Sequence, residues 1–87
     1  MRIWARIFKE NRMLKDLVVE NNDSDTRTHK VFAAIEKISY EFDLSTPIWL
    51  ESNISDFKRL SKVRFYSDSF IEDIPFDFLE VSIIEED

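Results

Sequence analysis

Arg2-Ile-Trp-Ala-Arg-Ile-Phe-Lys-Glu-Asn-Arg-Met-Leu-Lys-Asp-Leu-Val-Val-Glu20 is the stretch on which the fold turns. Two runs rich in β-branched and aromatic residues, Arg2–Lys9 and Met13–Glu20, flank Glu10-Asn11-Arg12. Such runs favour strands, and Asn11 tolerates the left-handed turn position when no glycine is at hand. A hairpin centred on Asn11 sets Trp4 opposite Val18, Arg6 opposite Asp16 and Phe8 opposite Leu14 on one face. Its other face pairs Ile3 with Val19, Ala5 with Leu17 and Ile7 with Lys15. A slip of one residue scrambles both sets, and opposite charges at Arg6 and Asp16 favour this register. The chain therefore opens with an antiparallel hairpin that is apolar on both faces.

Outward from the hairpin, Asn21-Asn22-Asp23-Ser24-Asp25-Thr26 is a cluster of helix-capping residues. Val31, Ala34, Ile35, Ile38 and Phe42 then recur at helical spacing and predict an amphipathic helix with these residues buried. Asp23 and Asp25 lie where the helix dipole favours negative charge. The helix is expected to stop near Asp43, because Thr46 precedes Pro47 and is pushed to extended geometry. Ile48-Trp49-Leu50 reads as a short buried strand. Ser52 or Asn53 can cap a short helix with Ile54, Phe57 and Leu60 on one side. Val63–Tyr66 reads as a strand, Ser67–Phe76 as irregular with one helical turn around Ile71, and Phe78–Ile84 as a final alternating strand. The expected architecture is α+β, a two-layer sandwich of order β-β-α-β-α-β-β. Its mostly antiparallel sheet is covered by one long helix, and residues 1–87 form a single domain.

Composition removes several chemistries. Average usage would place roughly six glycines in a chain of this length, and there are none. Gly-rich phosphate loops, the dinucleotide fingerprint and the glycine nucleophile elbow are thereby absent. There is no cysteine, hence no disulfide and no thiolate chemistry. A net charge of −6 argues against a dedicated binder of bulk nucleic acid. No apolar run is long enough for a signal peptide or a membrane span, so the expectation is a cytoplasmic protein without membrane contact.

Catalytic residues are hard to find. His29 is the only histidine, and it falls in the first turn of the long helix without an evident partner or pocket. With Asp23 and Asp25 it lacks a recognisable metal-ligand spacing. Asn22-Asp23-Ser24-Asp25 hints at calcium but has neither the EF-hand glycine nor its terminal glutamate, and reads as a helix cap. The expectation is a protein that is not an enzyme and uses no cofactor or metal.

Two features could carry binding. Phe57-Lys58-Arg59-Leu60-Ser61-Lys62-Val63-Arg64-Phe65-Tyr66 interleaves bases with aromatics, the composition of a base-stacking, backbone-tracking surface. Lys58, Arg59, Lys62 and Arg64 could meet an anionic ligand, such as single-stranded nucleic acid or a phosphorylated metabolite, or an acidic protein. They could equally close a helix at its negative end, or be neutralised from within. Residues 65–87 carry eight acidic groups and no basic one. The second feature is the surplus apolar face of the hairpin. If the long helix covers the face bearing Ile3, Ala5 and Ile7, then Trp4, Phe8, Leu14 and Val18 need either the rest of the chain or another chain.

Pro47-Ile-Trp-Leu-Glu-Ser-Asn-Ile-Ser-Asp-Phe-Lys-Arg-Leu-Ser-Lys-Val-Arg-Phe65, with Thr26-Arg-Thr-His-Lys30 upstream, resembles a family of short uncharacterised bacterial proteins. That resemblance implies a compact bacterial cytoplasmic domain and brings no activity, ligand or catalytic residue with it. The sequence-based expectation is a small interaction module that acts through a protein partner and self-associates. The alternative is an anion binder that uses Lys58, Arg59, Lys62 and Arg64.

Overall fold

A computed structural model describes all residues, Met1–Asp87. Four strands, β1 (Arg2–Lys9), β2 (Arg12–Glu20), β3 (Lys62–Phe65) and β4 (Phe78–Glu85), form one antiparallel sheet in the order β2-β1-β4-β3. Two helices, α1 (Arg27–Glu41) and α2 (Glu51–Leu60), precede β3. The order is thus β-β-α-α-β-β: the strand expected between the two helices does not form, and both helices, not the long one alone, cover the sheet.

The hairpin register is as expected from Arg2 to Ile7, with Arg6 opposite Asp16. It then shifts, so that Phe8 faces Met13 and not Leu14. Glu10 and Asn11 both take left-handed conformations, with φ of 50° and 64°. Two consecutive positive φ values form the two-residue turn whose twist matches that of paired strands. This turn joins Lys9 directly to Arg12, whereas the hydrophobic pattern demands a register one residue longer. A bulge that leaves Leu14 without its own partner absorbs the mismatch.

Thr26 caps α1 by accepting the His29 N–H at 3.2 Å. Val31, Ala34, Ile35 and Ile38 are buried, and Phe42 packs partly against the same core. At its other end the Asp43 N–H donates to the Tyr40 carbonyl and Leu44 N–H to that of Ser39. This double bond pattern normally ends on glycine; here Asp43 takes the left-handed position with φ of 56°. Leu50 is the N-cap of α2, and Asn53, three residues on, accepts the Leu50 N–H at 2.9 Å. Asn53 also donates to the Arg64 carbonyl at 3.1 Å, which ties α2 to β3.

Ile48-Trp49-Leu50 is not a strand. It is extended, but its backbone joins the turn after β3, where the Ile48 N–H donates to the Ser69 carbonyl at 2.7 Å, and no sheet edge. Of the α2 residues expected on one apolar side, only Phe57 is buried, while Ile54 and Leu60 are exposed. The helical turn expected around Ile71 lies earlier, at Ser67–Ser69, and Ile71 is exposed. No helix is long and apolar enough to cross a membrane.

The core lies between the helices and one face of the sheet. Ile3, Ala5 and Ile7 of β1, Leu79 and Val81 of β4, and Val63 and Phe65 of β3 meet α1 and α2 there. Trp49 links the layers, edge-on to Phe57 of α2 and to Phe65 of β3 at 5.5 and 5.0 Å between ring centres.

Candidate functional site

Alternation along a strand sends the remaining side chains to the opposite face. No helix packs there. Antiparallel pairing arranges these residues in rows across the sheet. One row runs Asp16 (β2), Arg6 (β1), Glu80 (β4), Arg64 (β3), and the next runs Val18, Trp4, Ser82, Lys62. Toward the hairpin end lie Met13, Phe8 and Phe78, with Tyr66 just beyond β3 against the Phe78 ring.

Glu80 holds the centre. Its carboxylate accepts from the Arg6 guanidinium on one side and from Arg64 Nε at 3.0 Å on the other. Its side chain is only 3% exposed although no layer covers it. The arginines themselves lie against rings: Arg6 over Trp4 at 4.0 Å and Arg64 over Phe78 at 4.5 Å. Phe8 and Phe78 stack at 5.2 Å. The Glu80 carboxylate, followed by Tyr66, raises the Arg64 pKa and keeps the guanidinium charged. Trp4 Nε1 donates to Asp16 Oδ2 at 3.0 Å. The sequence argument paired Arg6 with Asp16, yet the guanidinium turns to Glu80 because β4 lies on its other side.

Trp4 and Phe8 are half-buried in this array, while Val18 is 41% and Leu14 51% exposed. The residues singled out for an interface thus share one side of the hairpin, with Leu14 at its bulged end.

The four basic residues do not converge. Lys62 lies at the β3 rim of the open face, and Arg64 is engaged by Glu80. Arg59 pairs with Asp56 at 3.1 Å on the exposed side of α2. Lys58 lines a separate groove between the helices. His29 bonds Asp25 at 2.9 Å on the exposed first turn of α1, and this contact holds the Asp25 carboxyl below its ordinary range.

Sequence reasoning missed Glu80 as the hub and Phe78 and Tyr66 as platform residues. An acidic residue flanked by Leu79 and Val81 in the interior of a mostly apolar strand is the available signal for Glu80. Comparisons with family models, curated proteins and solved structures find no match for the chain, and they lend no support to the resemblance to short bacterial proteins.

Proposed function

We propose that this chain is a non-enzymatic protein-interaction module and that the partner seated on its open sheet face is a second copy of itself. The charge order of the central row carries the reading. From β2 to β3 it runs negative, positive, negative, positive: Asp16, Arg6, Glu80, Arg64. Reversed, that order is its own complement. A twofold axis parallel to the strands lays β2 over β3 of the second copy and β1 over its β4. Asp16 then faces Arg64, Arg6 faces Glu80 and, one row away, Phe8 faces Phe78. A twofold axis across the strands and through this row would set like charge on like, which is destabilising. Such a pair is isologous and closes as a dimer.

Two further points support burial of this face. Most of its central polar groups are already paired within one chain, Glu80 by two arginines and Trp4 Nε1 by Asp16, which lowers the desolvation cost of covering them; Arg6 Nε is buried without a partner. The 29 strand residues, each covering about 4.8 Å by 3.4 Å, make a platform of roughly 470 Å² in projection. With side-chain relief this approaches the ~800 Å² each partner buries in a stable dimer.

The anion-binding alternative through Lys58, Arg59, Lys62 and Arg64 draws less support. Those side chains are dispersed, with Arg59 paired to Asp56 and Arg64 to Glu80.

Light scattering at micromolar concentration should give twice the 10.5 kDa chain mass. Trp4→Glu, and Val18→Glu at the more exposed rim, should give folded monomers with unchanged far-ultraviolet circular dichroism. A wild-type monomer throughout that range, or dimers in both variants, contradicts the reading.

A further inference from the structure

Away from the sheet face, α1 and α2 diverge over a groove of about 280 Å³. Val31, Phe57 and Trp49 form its apolar lining, with Phe32 and Ile54 at the sides, and Arg27 and Lys58 supply the only charges along it. From this arrangement we infer that the groove binds a small amphipathic carboxylate, with its ring or chain on the aromatic lining and its carboxylate between Lys58 and Arg27.

The lining is preorganised. Trp49 is fixed edge-on by Phe32, Phe57 and Phe65, with ring centres 6.0, 5.5 and 5.0 Å away. Phe32 and Ile54 are nonetheless 48% and 41% exposed, so apolar surface faces water at a concave site, where ligands gain most from burial. The two cations differ in readiness. Arg27 is already oriented: its Nε donates to Glu86 at 2.9 Å, another guanidinium nitrogen to Ser61 Oγ at 3.1 Å, and it lies 5.3 Å from the Phe57 ring. Lys58 forms none of the ion pairs of the chain. In a protein of net charge −6, an unpaired ammonium beside an aromatic recess selects for an anion with an apolar body.

Size narrows the class. At about 30 Å³ per water, the groove holds roughly nine water volumes. That suits a monocyclic aryl acid or a medium-chain fatty acid, whose apolar bodies match the five apolar residues of the lining. The carboxylate is the chemistry shared by both acids; the choice of probes separates the aryl from the alkyl body.

The test is two-dimensional ¹⁵N NMR of the intact chain titrated to millimolar 3-phenylpropionate or octanoate, with 3-phenylpropanol and octanol as neutral counterparts. Saturable shifts are expected at the Trp49 indole N–H and at the Ile54 and Lys58 amides, with the Trp4 indole unmoved. The acid should bind about tenfold more tightly than its alcohol, as expected for one charge-assisted hydrogen bond. Lys58→Gln should remove most of that preference, and Ile54→Trp should fill the groove and abolish binding with the fold intact. Equal affinity for acid and alcohol, or a preference unaffected by Lys58→Gln, overturns the carboxylate assignment. Absence of saturable shifts, or shifts centred on the sheet face, overturns the site. Neither result depends on whether the chain self-associates.

Discussion

The two faces of this sheet bury their side chains by different routes. On the helix-covered face, Ile3, Ala5, Leu79 and Phe65 reach 1% exposure or less because a second layer of apolar groups lies on them. On the other face no second layer exists, yet Glu80 is buried and Trp4, Arg6 and Phe8 are half-buried. Lateral contacts do this: ring on ring, guanidinium on ring, and a carboxylate between two arginines. Layered burial removes apolar surface from water and stabilises the fold through the hydrophobic effect. Lateral packing satisfies charge but leaves the outer surface of each ring and guanidinium available. The first face specifies the fold; the second remains a surface on which a matching surface can sit.

If that distinction is sound, the largest cost comes from the layered face. Phe65→Ala removes a fully buried ring from beneath Trp49 and should lower unfolding free energy by about 3–5 kcal/mol in a denaturant titration. Glu80→Gln tests the lateral face. Breaking a buried ion pair costs about 3–5 kcal/mol. Here the side chains of Arg6 and Arg64 are 21% and 50% exposed, and hydration of the arginines should reduce the loss to about 1–2 kcal/mol. Equal losses at Phe65 and Glu80 would erase the difference between the faces. The smallest effect lies at neither face and has the opposite sign. Asp43→Gly relieves a left-handed residue at the end of α1 at the expense of a more flexible unfolded chain, so a gain of about 0.5–1 kcal/mol is expected as a higher denaturation midpoint.

The same division explains what could be read from the sequence. Local pattern sufficed where the partner residue is near in sequence: the hairpin from Arg2 to Ile7, and the buried stripe Val31, Ala34, Ile35, Ile38 of α1. The turn at Glu10-Asn11 was legible in kind but not in length, because two-residue and longer turns differ by one residue and a bulge can reconcile either with the strands. Ile48-Trp49-Leu50 resembles a buried strand because it is apolar, but Ile48 is exposed, and Trp49 is packed by Phe32, Phe57 and Phe65 without any pairing to the sheet. The open face was half legible. Trp4, Phe8, Leu14 and Val18 follow from hairpin alternation alone. Glu80, Phe78 and Tyr66 join them only through the β1–β4 and β3–β4 pairings, which bring together residues seventy or more and fourteen to twenty positions apart, and no local periodicity encodes such contacts.

The absence of cysteine gives direct access to the central claim, that a second copy covers this face with β2 over β3. Val18→Cys and Lys62→Cys mark the two rims of one row. Each variant is prepared alone, the two are mixed at micromolar concentration, and a short bis-maleimide is added. The account predicts that the mixture forms a covalent heterodimer joining position 18 of one chain to position 62 of the other, while neither variant alone cross-links efficiently. Efficient cross-linking of Val18→Cys to itself, or only monomers in the mixture, would contradict it.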